Sequence, residues 1–169
     1  MDLFHKVKMQ PVEPEAVALI SALIERHVPV IAVTSRQMQL SALTMQQLDA
    51  THLTFSKSSL AKSTVNFNES SRIRFEQGVL FCSGKDKGFV LAQFLDQLKI
   101  HPRIIVCVDD KERHLHSIAK IAAQRGCSFI GLRYSFLDEK VKNYKLDDNA
   151  IALLEQHRQQ SLCPNPQYA

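Results

Sequence analysis

The sequence predicts an α/β protein built as a three-layer, Rossmann-like parallel sheet with helices on both faces, plus one β-hairpin. Short apolar runs alternate along the chain with segments whose apolar residues recur at helical spacing. The strongest runs are apolar at consecutive positions, which is typical of parallel strands buried on both faces. A length of 169 residues with 45% hydrophobic and 22% charged side chains fits one globular domain.

The first third of the chain predicts a helix and then a buried strand. Pro14 suits a first helical turn, and apolar residues recur at helical spacing from there to His27. Residues 28–33 form a continuous apolar run that ends at Thr34. A second helix at 40–48 and a short strand at 52–55 are expected next. The polar segment 56–71 predicts a surface loop.

The middle of the chain predicts a β-hairpin followed by a helix. Two apolar segments, 72–75 and 79–82, are separated by a short connection that ends in Gly78. Residues 90–98 then carry apolar side chains at helical spacing. The hairpin is the one antiparallel feature that the sequence predicts.

The last third predicts two further strands, each followed by a helix. Residues 104–108 form the strongest apolar run, and 128–132 form the next. A helix between them ends near Gly126, which suits a C-terminal cap. A last helix is expected through Leu154, with a polar tail from about residue 160. We expect a single domain over residues 1–169.

Composition excludes several classes of function. The chain has 21 basic and 17 acidic residues, a net charge of +4, which is far below the basic density of nucleic-acid-binding proteins. No apolar window approaches the ~18 residues that a membrane span requires, and the start lacks the apolar core of a signal peptide. Four cysteines without a Cys-x-x-Cys pair favour free thiols. We therefore expect a cytoplasmic protein with no nucleic-acid and no membrane partner.

Polar residues follow the predicted strands where the carboxyl ends of parallel strands would meet. Thr34 and Ser35 follow the first strand, Lys87 opens a helix, and Asp109 and Asp110 follow the run 104–108. Hydroxyl and ammonium groups donate to phosphate oxygens, and carboxylates supply the oxygen ligands that Mg²⁺ prefers. These residues predict phosphate binding by the hydroxyls and the lysine, and metal binding by the two aspartates.

Each of these residues also has a purely structural interpretation. Thr34 or Ser35 could cap a following helix. Lys87 could be an ordinary solvated lysine. One of the aspartates, Asp110 in particular, could cap the helix that comes after the strand.

The order of the groups resembles that of a known family. Thr34, then Lys87, then Asp109-Asp110 is similar to the second, third and fourth motifs of the haloacid dehalogenase (HAD) superfamily. The resemblance covers roughly residues 11–145 and points to an uncharacterised bacterial branch of HAD-like proteins. It implies a phosphohydrolase fold, a phosphorylated small molecule as ligand, and weakly bound Mg²⁺. The runs that carry it are 12–15, 30–36, 78–81, 87–91 and 105–111.

One feature of that family is missing. HAD phosphatases carry their nucleophile in an Asp-x-Asp motif on a strand that precedes the others, and this sequence contains no Asp-x-Asp. The resemblance therefore implies an N-terminally truncated HAD-like domain without its first central strand. Without the nucleophile no aspartyl-phosphate can form. We expect a catalytically inactive chain that retains a residual phosphate and Mg²⁺ site.

The missing strand would lie between the strands that end at Thr34 and Asp109. Unpaired strand edges invite other chains. We expect residues 30–33 to pair directly with 104–108, or a strand from Met1–Lys8 or from another copy to insert between them. The alternative function is a non-enzymatic protein-binding module, or a fragment that assembles with another chain. Self-association or a partner chain at the open sheet edge would follow from either.

Overall fold

The computed structural model describes residues 8–58, 60–67, 72–145, 147–149, 151–153 and 155–156. The fold is α/β, as predicted, and it divides into two compact units, residues 1–133 and 134–169. The helices are α1 (Pro14–Glu25), α2 (Ser41–Ala50), α3 (Lys87–Gln97), α4 (Glu112–Gln124) and α5 (Asp138–Lys142). The strands are β1 (Ala32–Thr34), β2 (Val65–Asn66), β3 (Arg74–Glu76), β4 (Val79–Phe81), β5 (Ile104–Asp109) and β6 (Ser128–Arg133).

The larger sheet is mixed, because the predicted hairpin is part of it and brings antiparallel pairs into what was expected as a parallel sheet. Its strand order is β1-β4-β3-β2, in which β1 and β4 are parallel and the other pairs antiparallel. The predicted hairpin is confirmed as β3–β4, and Gly78 turns it with a φ of 81°. A Cβ at that glycine would collide with the backbone of Phe55. The predicted loop at 56–71 contributes β2, because Val65 and Asn66 pair with β3.

The second sheet consists of β5 and β6, which pair in parallel along six residues each. In the described part of the chain β1 pairs only with β4, so the expected direct pairing of 30–33 with 104–108 is wrong. The two sheets share a side-chain core instead of a backbone ladder. The expected strand from Met1 falls on residues 1–7, which lie outside the described residues.

The core lies on both faces of the larger sheet. On one face, Phe75 and Leu80 pack with Phe94 of α3 and Ile118 of α4, and the rings of Phe75 and Phe94 are 4.5 Å apart. On the other face, Val79 and Phe81 pack with Phe55 and with partly buried residues of α1 and α2, including Ile20, Met45 and Leu48. The apolar sides of these helices are therefore buried against the sheet, and this burial stabilises the helices.

Among the residues that the structure describes, the smaller sheet is covered on one face only. Ile105, Cys107 and Phe129 point toward the core beneath α3 and α4. The opposite face, which we call the bare face, consists of five side chains that are 46–60% exposed. The run 104–108 was expected to be buried on both faces, and this expectation is wrong for the part of the chain that the structure describes. The bare face comprises Ile104, Val106, Val108, Ile130 and Leu132.

The second unit contains α5 and described helical residues between 148 and 156. Acidic residues begin α5 and lysines end it, which matches the helix dipole. Leu154, the predicted end of the last helix, and the polar tail from about 160 lie outside the described residues.

Candidate functional site

The carboxyl ends of β1 and β4 are joined by three backbone hydrogen bonds. The N–H of Cys82 donates to the carbonyl of Thr34 at 2.8 Å, that of Gly84 to Ser35 at 2.9 Å, and that of Ser83 to Arg36 at 3.1 Å. The Thr34 hydroxyl oxygen accepts the backbone N–H of Arg36 at 3.2 Å. This local bond belongs to the turn itself, so Thr34 does not cap a helix.

Lys87 is positioned by the start of α3. Asp86 caps this helix by accepting the backbone N–H of Phe89 at 2.8 Å, and it also accepts the Ser117 hydroxyl of α4. Burial alone would raise the pKa of Asp86, but the hydrogen bonds from Ser117 and Phe89 lower it below its usual value. Gly88 allows the close approach, because a Cβ there would collide with Ser117.

Asp109 ends β5 and is the centre of a polar network. Its Oδ2 accepts the Nζ of Lys87 at 2.7 Å, and its Oδ1 accepts the backbone N–H of Lys111 at 2.8 Å and the Nδ1 of His114 at 2.9 Å. The three side chains are largely buried, with 6% exposure for Asp109, 12% for Lys87 and 13% for His114.

This network fixes the charge of Asp109. Burial would raise its pKa, but the hydrogen bonds from Lys87, Lys111 and His114 outweigh burial and lower the pKa to about 2. Asp109 is therefore a carboxylate at neutral pH, and the Nδ1 of His114 carries the proton of their hydrogen bond.

The structure brings together some of the predicted residues. Lys87 and Asp109 form a direct ion pair, and the loop at Thr34 and Ser35 is bonded to the loop that leads into α3. The hydrogen bonds of Thr34 in the described part of the chain do not reach Lys87 or Asp109. Asp110 is exposed. It does not cap α4, whose N-cap residue is Lys111.

Sequence reasoning missed His114. The residue lies in the first turn of α4, where its ring reaches back to the end of the preceding strand. An Asp-x-x-x-x-His spacing across a strand end and a helix start was the signal available. The motifs of the HAD superfamily that the sequence resembles include the two aspartates but no histidine at this position, so the resemblance does not predict His114.

Arg36 is a second polar side chain that sequence reasoning left unassigned. Its Nη1 donates to the hydroxyl of Thr44 at 3.0 Å and to Oε1 of Gln47 at 2.7 Å, and both partners lie on α2. The side chain thereby ties the loop after β1 to that helix.

The described residues contain no group of three or more His, Cys, Asp or Glu side chains that could hold a metal ion. Both oxygens of Asp109 already accept hydrogen bonds from the protein. The nearby thiols are also poor ligands, because burial raises the pKa of Cys82 to about 12 and raises that of Cys107 as well. Both cysteines are free, as is Cys127.

The fold and this site define a mixed α/β protein with a buried Lys–Asp–His network at the carboxyl ends of its strands. Within that class, residues 2–164 match the family described as "Protein of unknown function (DUF2608)". The chain belongs to this family. No solved structure shows significant similarity to it.

Two curated relatives are chlamydial proteins that carry the name "Putative outer membrane protein". The protein of Chlamydia muridarum is 25% identical over 168 residues, covering 91% of this chain and 63% of the relative. That of Chlamydia trachomatis serovar D is 26% identical over 127 residues, covering 75% of this chain and 47% of the relative. The chain thus spans less than two thirds of the length of either relative.

These comparisons correct the family assignment made from motif order. The matching family is DUF2608 and the relatives are the chlamydial proteins, and none of these findings supports the HAD superfamily. Three short motifs in the same order were too little sequence to define a family. The roles of Thr34, Ser35, Lys87, Asp109 and Asp110 therefore depend on their chemistry and positions alone.

No helix among the described residues is long and apolar enough to cross a membrane.

Proposed function

We propose that the chain binds the phosphate group of a phosphorylated small molecule without hydrolysing it. The observation that carries this proposal is the position of Lys87, whose side chain is 12% exposed and whose ammonium group is held by Asp109 where the strands end. An ammonium has three N–H donors. One of them is directed to Asp109, and the others can donate to a phosphate oxygen.

The hydroxyls would complete the phosphate site. Thr34 uses its oxygen to accept a turn hydrogen bond, which leaves its O–H proton for an anion. Ser35 is exposed beside it. Asp109 has no part in attacking phosphorus under this proposal, because a carboxylate with a pKa of about 2 and three hydrogen bonds is a weak nucleophile.

We also propose that Asp109 and Asp110 bind Mg²⁺ weakly beside the phosphate. Oδ2 of Asp109 accepts one hydrogen bond, from Lys87, and keeps a lone pair that could bind the ion. The nearby Lys87 ammonium would repel the ion there. Asp110 is exposed and contributes one more carboxylate. Water would fill the remaining positions, so the affinity should be poor.

Titration with inorganic phosphate, followed by chemical-shift changes in NMR spectra, tests the phosphate site. Lys87→Met should weaken binding about tenfold or more, because a hydrogen bond to a charged group contributes about 1.5–3 kcal/mol. Lys85→Met is the matched control, since Lys85 is exposed in the loop that leads into α3, and it should change affinity less than twofold. Equal losses in both variants, or no phosphate binding by the native chain, would contradict the proposal.

A second proposed function is assembly with another polypeptide, which the bare face favours. We infer that the two sheets belong to one sheet in a three-layer, Rossmann-like fold. In this fold, the strand between β1 and β5 is missing. Support comes from the core that both sheets share beneath α3 and α4. Sedimentation velocity of the chain over a range of protein concentrations tests self-association, which Val108→Lys on the bare face should suppress. A sedimentation coefficient that does not change with concentration would contradict self-association.

The cytoplasmic location is also a proposal. It is supported by three free cysteines, Cys82, Cys107 and Cys127, since extracytoplasmic proteins commonly form disulfides. The name of the chlamydial relatives favours an envelope location instead. Cell fractionation with an antibody against this chain decides between the two.

A further inference from the structure

An open cavity of about 330 Å³ lies beside the second half of α3, outside the site described above. This volume is at the small end of the range typical of ligand sites, about 300–1,000 Å³. Gln93, Asp96 and Gln97 of α3 form one wall, since residues three and four apart share a face of a helix. Asn66 of β2 and the next residue, Phe67, form the other wall. We call this cavity the amide cleft, because three of its five lining side chains are carboxamides.

Gln93 has a buried side-chain oxygen that no other group satisfies. In the part of the chain that the structure describes, its Oε1 is buried and has no hydrogen-bond partner. Buried polar atoms in proteins nearly always have such a partner, and a buried acceptor that is left unpaired costs stability. The amide cleft therefore contains an acceptor that an N–H donor of a ligand can use. The same amide carries two N–H donors on its Nε2.

The other two amides of the cleft are held in place by neighbouring groups. Oδ1 of Asn66 accepts the Nε of Arg74 at 3.1 Å, which fixes that amide and leaves its Nδ2 as a donor. The Nε2 of Gln97 donates to the backbone carbonyl of Asn66 at 3.5 Å and so joins the two walls. The lining is therefore positioned before a ligand binds, which lowers the entropic cost of binding.

The amide cleft carries no unbalanced charge on its lining side chains. Oδ2 of Asp96, which is the one ionisable residue of the lining, pairs with Nη2 of Arg125 at 2.7 Å. That Nη2 also donates to the backbone carbonyl of Ala92 at 3.0 Å. Phe67 supplies an apolar wall and is partly buried against the core. This combination favours a neutral, flat ligand over a phosphate or a metal ion.

We propose that the amide cleft binds a small neutral planar molecule through an edge that places an N–H donor beside a hydrogen-bond acceptor. Oε1 of Gln93 accepts the N–H of the ligand, and its Nε2 donates to the adjacent acceptor. Glutamine pairs in this way with N6 and N7 of adenine. The ring of the ligand packs on Phe67. Adenine and aromatic carboxamides such as nicotinamide both present this edge, so the test includes one of each.

This site is separate from the proposed phosphate site. Lys87 opens α3 and lies roughly 9 Å from Gln93 along the helix axis, at the usual rise per residue. Among the described residues, those that line the amide cleft do not include Lys87, Asp109 or His114. The proposal therefore goes beyond the proposed functions, and failure of either site leaves the other to its own test.

The test titrates the full chain with adenosine and, separately, with nicotinamide, followed by NMR chemical shifts. At least one of them should shift the side-chain amide signals of Gln93, Gln97 and Asn66, with a dissociation constant of about 1 mM or tighter. Purine riboside lacks the 6-amino group of adenosine, and methyl nicotinate has an ester in place of the amide, so neither can donate to Oε1. Each should bind at least tenfold more weakly than its parent. Binding of adenosine alone identifies a base, binding of nicotinamide alone identifies an aromatic carboxamide, and binding of both shows that the shared edge is recognised.

Two variants assign the binding to Gln93. Gln93→Leu removes the amide and keeps a side chain of similar size, so it should weaken binding of the parent ligand at least tenfold. Its melting temperature should equal or exceed that of the native chain, because it removes a buried oxygen without a partner. Gln124→Leu is the matched control, since it is the same substitution at an exposed glutamine of α4, and it should change affinity less than twofold.

Three results would overturn the proposal. The first is that neither adenosine nor nicotinamide shifts these signals. The second is that purine riboside and methyl nicotinate bind as tightly as their parents, and the third is that Gln93→Leu and Gln124→Leu weaken binding equally. The first two results come from the native chain, so they decide the proposal even where a variant fails to fold.

Discussion

At the residue scale, Asp109 joins three elements through one carboxylate. Lys87 belongs to α3, His114 to α4, and Asp109 ends β5. The reasoning that polar side chains meet at the carboxyl ends of parallel strands correctly placed Lys87 beside Asp109. It could not show that Lys87 would form an ion pair directly with Asp109, because the order of motifs contains no information on distances. It also could not show that His114 would occupy the other oxygen.

Replacing Asp109 should cost stability. In Asp109→Asn the Lys87 ammonium loses its ion pair in a largely buried position, which costs about 1–3 kcal/mol of unfolding free energy at pH 7. Asp110→Asn is the control and should change stability by less than about 0.5 kcal/mol, since Asp110 is exposed. Urea denaturation measures both. Similar stabilities for the two variants would mean that the network contributes nothing.

The same network gives a pH dependence with a definite sign. The pKa of Asp109 is lowered from 3.8 to about 2 in the folded protein, so the unfolded chain binds a proton first as the pH falls. The stabilisation is therefore complete above about pH 4 and is lost as the pH falls toward 2. The stability difference between the native chain and Asp109→Asn should shrink over that interval. A constant difference from pH 6 to pH 2.5 would contradict this assignment.

Hydrolysis of p-nitrophenyl phosphate with Mg²⁺ should be undetectable. The carboxylate of Asp109 accepts three hydrogen bonds, which make it a weak nucleophile. A steady-state assay over a range of Mg²⁺ concentrations checks this expectation. Turnover that disappears in Asp109→Asn would show that the carboxylate reacts despite its hydrogen bonds.

At the element scale, the close crossing of α3 and α4 depends on Gly88. Alanine is intrinsically favoured over glycine in a helix by about 1 kcal/mol. Gly88→Ala should nevertheless destabilise the protein by about 1–3 kcal/mol, because the added methyl collides with Ser117. Gly84→Ala, at a φ of 76° and with open space around it, tests backbone strain without a collision. A melting temperature of Gly88→Ala equal to or above that of the native chain would contradict the close approach of the two helices.

Helical periodicity predicted the helices better than apolar runs predicted the strands. The expected helix from Pro14 is observed as Pro14–Glu25, whereas the run 28–33 yields the short strand Ala32–Thr34. Residues 52–55, expected as a strand, form none. An apolar run shows that a segment prefers to be buried, but pairing depends on a neighbour that is distant in sequence. The two-residue strand β2 lies in a segment with no apolar pattern, because its pairing also depends on a neighbouring strand and not on its own sequence.

At the scale of the whole molecule, the bare face should govern solubility. Val108 is 60% exposed, so Val108→Lys removes exposed apolar surface and should change the unfolding free energy by less than about 0.5 kcal/mol. It should also lower light scattering at high protein concentration. A large loss of stability would show that this side chain is buried in solution.

The absence of a backbone ladder between the two sheets has a consequence for how the molecule unfolds. Residues 104–133 form β5, α4 and β6 as one uninterrupted stretch whose strands pair with each other. Side-chain packing, the ion pairs Lys87–Asp109 and Arg125–Asp96, and the hydrogen bond from Ser117 to Asp86 connect this stretch to the rest. Contiguous units of this kind open as cooperative foldons, with a free energy below that of global unfolding. The protein should therefore populate a partly open state in which β1–β4 remain folded, and a protease would cleave first within the released stretch.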